Sequence, residues 1–201
     1  MKILFIRHGE SYGNLTRCFY DSPEVELTEK GKEQAAMSGR SLRLYLDDDT
    51  EYAVYCSPWT RAVQTCKIAL NEAGIEHWVV FLDERLKERS FAGLDGRPIN
   101  FDGTDSHLEN AISSEEYAEI WTYDSPKSKE FGVETLPELQ ERVRSFLAEM
   151  LDKHRDETII VFSHGGLGRM LQGFCDNWPE GGRFHEFKFF ENGEVAVLHF
   201  N

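Results

Sequence analysis

The residues with the most chemical potential in this chain are two His-Gly pairs, each placed at the end of an apolar run. Ile3-Leu4-Phe5-Ile6 leads into Arg7-His8-Gly9-Glu10, and Thr158-Ile159-Ile160-Val161-Phe162 leads into Ser163-His164-Gly165-Gly166. Both runs read as strands buried on two faces, and groups just beyond the carboxyl ends of such strands face a shared crevice in an open α/β sheet. A third strand-like run, Ala53-Val54-Tyr55-Cys56, leads into Ser57-Pro58-Trp59-Thr60-Arg61. Two imidazoles and the guanidinium groups of Arg7 and Arg61 would then converge, which is the chemistry of a phosphoryl site.

A neutral imidazole attacks phosphorus well, and a phosphohistidine intermediate divides one hard displacement into two easier ones. His8 fits the nucleophile, because Gly9 leaves room for neighbouring backbone. Taken alone, His8 is as readily an ordinary polar strand end; its pairing with His164 favours catalysis. Charge that builds on the equatorial phosphoryl oxygens calls for fixed forked donors, so Arg7 and Arg61 suit the task better than lysines. Arg61 stands in the first turn of a helix, where free N–H groups also favour an anion. The departing oxygen needs a proton, for which Glu88 is the best-placed carboxyl. On position alone, Glu88 is equally a solvated charge between Lys87 and Arg89.

The elements needed to hold these groups are legible in outline. Strand-like and helix-like segments alternate, so the expected fold is three-layer α/β/α around a mostly parallel central sheet. After the first strand, Asn14 to Glu26 reads as an irregular loop. Thr28 caps a helix with Ala35, Gly39, Leu42 and Leu46 on one face, and Ser57-Pro58 reads as a capping hydroxyl with proline at the first helical position. Thr135-Leu136-Pro137-Glu138 resembles a capping box ahead of Leu139, Val143, Phe146, Leu147 and Met150, and Leu167 to Phe174 follows the second His-Gly as a short helix. The stretches Phe184 to Phe190 and Glu194 to Phe200, around Glu191-Asn192-Gly193, read as a C-terminal hairpin. Residues 1–201 form one expected domain, with a polar, acidic insertion at about 96–132 lying over the crevice and one helix-like piece near Glu115 to Tyr123.

Composition narrows the partners. A net charge of −14 argues against nucleic acid or an anionic membrane. No segment approaches the run of about 20 apolar residues that a membrane helix needs, which makes a cytoplasmic location the expectation. The four cysteines, Cys18, Cys56, Cys66 and Cys175, show no metal or redox spacing, so buried free thiols and no metal are expected.

The ordered motifs go further. Arg7-His8-Gly9-Glu10, Asn14, Leu27-Thr28-Glu29-Lys30-Gly31 with Gln34-Ala35, Ser57-Pro58 with Arg61-Ala62 and Gln64-Thr65, Leu86 to Glu88 with Gly93, Glu134-Thr135 and Ser163-His164-Gly165 resemble the histidine phosphatase superfamily, the phosphoglycerate mutase-like proteins. The resemblance spans nearly the whole chain. It implies that His8 becomes phosphohistidine, that Arg7, Arg61 and His164 hold the phosphoryl group with Asn14 and Gly165 beside it, and that Glu88 is acid and base, with no metal or other cofactor.

Between branches, a phosphatase acting on a phosphorylated small molecule or phosphoprotein is favoured. The segment from Pro98 to Gln140 offers only Lys127 and Lys129 as strongly basic residues for gripping a phosphoglycerate. A cofactor-dependent phosphoglycerate mutase is the alternative, because Glu88-Arg89-Ser90-Phe91-Ala92-Gly93-Leu94 looks more like the mutase version of its motif. A non-catalytic phospho-ligand-binding module is the remaining reading. Arg17 and Arg89 are candidates for touching the non-transferring part of a substrate, against the plainer reading of solvated arginines. Oligomeric state is not legible.

Overall fold

The computed structural model describes residues 1–16, 18–46, 50–75, 79–100, 110–176, 184 and 188–200. Its centre is a five-stranded sheet in the order β3-β2-β6-β1-β7, formed by β1 (Lys2–Arg7), β2 (Tyr52–Cys56), β3 (Val80–Leu82), β6 (Thr158–Ser163) and β7 (Val195–His199). Four strands run parallel and β7 lies antiparallel to β1. The two central strands, β1 and β6, are apolar along nearly their whole length because helices cover both faces.

On one face, α2 (Glu29–Arg43) and α3 (Thr60–Glu72) bring Leu42, Ala62, Cys66 and Ala69 against Leu4, Ile6, Ile160 and Phe162. On the other, α6 (Leu136–Lys153) and α7 (Gly165–Cys175) bring Leu139, Val143, Phe146 and Met170 against Ile3, Phe5, Ile159 and Val161. This is the expected three-layer α/β/α architecture. The starts of α2 and α6 follow from their caps: Thr28 accepts from the Gly31 N–H at 3.0 Å, and Thr135 with Glu138 forms a reciprocal capping box.

Register turns the two His-Gly motifs into neighbours. Arg7 pairs with Ser163 and Cys56 with Phe162, so His8, Ser57 and His164 leave the same end of adjacent strands. Gly9 is required there: a Cβ on it would lie 2.2 Å from the Gly31 carbonyl oxygen, where the chain after His8 meets the first turn of α2.

Four local expectations need correction. Ser57-Pro58 does not open α3; the helix begins at Thr60 with Trp59 at its N-cap, and no side chain caps it. The loop after the first strand contains a short helix, α1 (Tyr12–Thr16). The first arm of the expected C-terminal hairpin, Phe184 to Phe190, falls in part on residues 185–187, which lie outside the described residues. Residues 188–190 carry no strand, and β7 pairs with β1 after a turn in which the Glu194 N–H donates to the Glu191 carbonyl. The polar stretch after Gly96 also holds more structure than one helix-like piece. It contains α4 (Ser114–Ile120), α5 (Pro126–Glu130), and the short parallel pair β4 (Ile99–Asn100) with β5 (Ile112–Ser113). Phe19, Phe91, Leu94, Ile112, Ile120 and Val133 form a third core beneath it. Of the cysteines, Cys56 and Cys66 are buried, whereas Cys18 and Cys175 are only half-buried. Among the described residues, no helix is long and apolar enough to cross a membrane.

Candidate active site

A cleft of about 540 Å³ opens at the carboxyl ends of β1 and β6, and Arg7, His8, Asn14, Arg61, Glu88 and Gly165 all line it. His164 sits behind that wall, fully buried, with its ring edge-on to His8 and 5.1 Å between centroids.

The hydrogen bonds define the state of each imidazole. Nδ1 of His8 lies 2.7 Å from the Gly9 carbonyl oxygen, which can only accept, so Nδ1 carries the proton. Nε2 is then an acceptor, and Nε of Arg61 donates to it at 3.3 Å. Burial first, and the Arg61 and Arg7 charges second, hold the His8 pKa well below the usual imidazole range. His8 is therefore a neutral base near pH 7 with its lone pair in the cleft.

His164 is likewise held well below that range, by burial and then by Arg61. Its Nε2 lies 2.8 Å from Oγ of Ser57, whose oxygen also receives the Trp59 N–H at 3.3 Å. The Ser57 hydroxyl has no other acceptor among the described residues, so it donates to Nε2 and leaves the proton of His164 on Nδ1, which has no partner among the described residues. Nε of Arg7 is also without a partner among the described residues. Two oriented donors beside His8 suit an oxyanion.

The arginines are positioned by backbone and rings. Arg7 Nη1 donates to the Phe190 carbonyl at 2.5 Å, and its guanidinium lies 4.7 Å from the Phe189 ring centroid. Arg61 donates to the Ser22 carbonyl at 3.2 Å and lies 4.4 Å from the Trp59 centroid. Burial lowers the Arg61 pKa to about 10, which still leaves it charged at neutral pH. Asn14 accepts through Oδ1 from Ser11 N–H and from Asn192, an arrangement that turns its amide nitrogen outward as a donor.

Glu88 reaches the cleft from the segment after β3. Its carboxylate accepts from the Gly166 and Leu167 N–H groups at 3.1 and 3.2 Å, at the first turn of α7. Gly166 is required for this, since a Cβ there would lie 2.6 Å from Oε1 of Glu88. Arg142 on α6 fixes the segment by donating to the carbonyls of Arg85, Lys87 and Glu88 and to the Glu134 carboxylate.

The structure thus brings together Arg7, His8, Asn14, Arg61, Glu88, His164 and Gly165. Arg89 is a correction. It is fully buried and does not line the cleft, donating instead to the Glu134 carbonyl at 2.6 Å and to Ser128 Oγ at 3.1 Å, with Trp121 stacked on it. Its neighbours Glu88 and Lys87 gave it the look of a surface residue, but it holds the inserted segment to the Glu88 loop. Arg17 lies outside the described residues. Among the aromatics considered for a pocket, Phe19, Tyr20 and Trp121 line the cleft, Tyr123 bonds to Gln140 instead, and Phe101 lies outside the described residues.

Sequence reasoning did not identify the roles of Ser57 and Arg142, or Arg169 as a further residue lining the cleft. Arg169 had a usable signal: it follows Gly165 by four residues and so shares its helix face.

Paired histidines and arginines near the carboxyl ends of parallel strands, with a carboxylate lining the same cleft, form an arrangement chemically suited to a phosphoryl group. The chain belongs to the histidine phosphatase superfamily (branch 1), whose family model matches residues 3–201. It is 31% identical over 205 residues to a 2,3-bisphosphoglycerate-dependent phosphoglycerate mutase of Corynebacterium diphtheriae, covering 88% of this chain and 77% of that protein. A Brucella ovis mutase of the same description is also 31% identical, over 176 residues, covering 84% of this chain and 78% of that protein. Among solved structures, the alpha-ribazole phosphatase from Shigella flexneri shares the fold with a TM-score of 0.75 at 24% identity, covering 100% of this chain and 91% of that one. A mycobacterial glucosyl-3-phosphoglycerate phosphatase does so with a TM-score of 0.76 at 21% identity, covering 98% and 90%. The family expected from the sequence is thus the one to which the chain belongs.

Proposed function

We propose that the protein is a metal-independent phosphatase that hydrolyses phosphomonoesters through a phosphohistidine on His8. The observation that carries this reading is the state of His8: buried, neutral, protonated on Nδ1 by its bond to Gly9, with an unprotonated Nε2 that accepts from Arg61, in the cleft that Glu88 also lines.

Nε2 of His8 attacks phosphorus as the P–O bond to the organic group breaks, and Glu88 gives its proton to the departing oxygen. Arg7, Arg61, Nδ1–H of His164 and the Asn14 amide neutralise charge on the phosphoryl oxygens. Glu88 then takes a proton from water, the water oxygen attacks phosphorus, and the P–N bond breaks to return neutral His8 and inorganic phosphate. The arginines supply the positive charge that a metal ion supplies in other phosphoryl-transfer sites.

The size of the cleft suits a phosphorylated small molecule, whose usual sites occupy roughly 300–1,000 Å³. The names of the solved structures sharing the fold support hydrolysis. The mutase names of the relatives at 31% identity support a second reading, in which phospho-His8 returns its group to a phosphoglycerate.

Phosphate release from 4-nitrophenyl phosphate in EDTA, for wild type and His8→Ala, tests the first reading. Release by the wild type and none by the variant is expected; equal release by both would refute it. A coupled isomerisation assay with bisphosphoglycerate tests the second, for which fast isomerisation with little free phosphate is the supporting result.

A further inference from the structure

Beyond the phosphoryl cluster the cleft changes character. Phe91, Tyr117, Trp121 and Phe189 form its outer walls. One further cation lines it among the described residues: Arg169, on the same face of α7 as Gly165 and one turn on, about 6 Å along the axis.

The Arg169 guanidinium is flanked by rings, 5.0 Å from the Phe189 centroid and 5.9 Å from that of Phe184. It makes no ion pair among the described residues, and its Nε, shielded from solvent, has no hydrogen-bond partner. Burial lowers its pKa, with only Tyr117 and Glu88 opposing, though an arginine stays charged at neutral pH. A guanidinium oriented by two rings and with no carboxylate partner among the described residues is preorganised for an anion that arrives with a ligand, since a partly buried unpaired charge is otherwise costly. The surrounding rings favour a flat, apolar group between the two anions.

We propose that Arg169 sets specificity by pairing with a carboxylate on the organic part of the substrate, so that the preferred esters carry a planar ring between phosphoryl and carboxylate groups. For turnover this rests on the phosphatase reading; for binding it does not.

The test compares 4-carboxyphenyl phosphate with its neutral near-isostere, 4-carbamoylphenyl phosphate, as the ratio of kcat/KM in wild type, Arg169→Gln and Arg169→Lys. The wild type should favour the carboxylate by about tenfold, the size expected of a charge-assisted hydrogen bond. The ratio should fall close to one in Arg169→Gln and recover in part in Arg169→Lys. A wild-type ratio of one, or the same ratio in all three proteins, overturns the proposal, because a purely structural arginine would lower both esters alike. Calorimetric binding of 4-carboxybenzylphosphonate and 4-carbamoylbenzylphosphonate to the same proteins reads the same ratio without turnover. No hydrolysis with an intact binding ratio would sink the phosphatase reading alone, whereas hydrolysis with no ratio would sink the role of Arg169 alone.

Discussion

The two halves of the cleft are built differently. The inner half stands on the ends of the two central strands and the first turns of α3 and α7, and Arg7, His8, Arg61 and His164 are all buried. The outer half rests on α1 and α4, five and seven residues long, and on residues 188–190, with aromatic side chains that range from buried Phe91 through half-buried Tyr117 and Trp121 to exposed Phe189. Rigid strands with in-register ends hold reacting groups to the tolerances of phosphoryl transfer, whereas short elements joined to a small separate core allow the recognition surface to differ between proteins that share the chemistry. The two halves meet at Glu88 and Arg89. One side chain lines the inner cleft, and its neighbour anchors the insertion through Ser128 and Glu134.

If that division holds, changes to the inner half should remove catalysis with little loss of fold. His8→Ala should lower phosphate release by a factor on the order of 10⁴ to 10⁶, the scale of losing an activated nucleophile, while the far-UV spectrum stays native. Glu88→Gln should cost roughly 10² to 10⁴ in kcat with an alkyl phosphate and distinctly less with 4-nitrophenyl phosphate, whose leaving group needs little protonation. An equal loss on both substrates would mean that Glu88 is not the proton donor.

The inner half should also make stability sensitive to acid. His8 and His164 have folded pKa values well below the unfolded one, so the unfolded state takes up protons that the folded state refuses. Their contribution is complete above about pH 6.5 and declines as pH falls below it, by up to about 1.4 kcal/mol per pH unit for each histidine. Urea unfolding of wild type and of His164→Asn between pH 7.5 and 5 should show a shallower decline in the variant. Parallel curves would contradict the buried neutral state.

The smallest effect belongs to the outer half. Ser128→Ala removes a hydroxyl that receives Arg89 and donates to the Ile120 carbonyl, which should cost about 1–2 kcal/mol in denaturant unfolding. If the halves are separable, KM should rise more than kcat falls. A dominant loss in kcat would show that the insertion also positions Glu88.

The chemistry of the inner half was readable from residue order because each reactive group follows directly on an element with a strong local signature. A run of apolar residues buried on both faces specifies a strand end, and the residue after it inherits that position; Arg7-His8 and Ser163-His164 are such cases. Ser57 shows the limit of this reading. Ser-Pro before a helical stripe is a sound capping pattern, yet the hydroxyl bonds to His164, which arrives from 107 residues away. The pattern in Val195–His199 is also that of a strand, but alternation does not name the partner, and the open edge of β1 took it.

The amino-acid sequence by itself determined which groups this protein has for chemistry, which local elements carry them, and the order in which those elements follow, because capping, burial periodicity and strand-end placement are local. Tertiary structure alone decided which groups touch. The proton on His164 is placed by Ser57, the Glu88 loop is held by Arg142, Arg89 is taken out of the cleft by Glu134 and Ser128, and Arg169 is turned to the outer pocket by Phe184 and Phe189. Each of these depends on side chains distant in sequence meeting at hydrogen-bond or ring-contact distance. That proximity is a property of the packed sheet and its helices, and no local pattern encodes it.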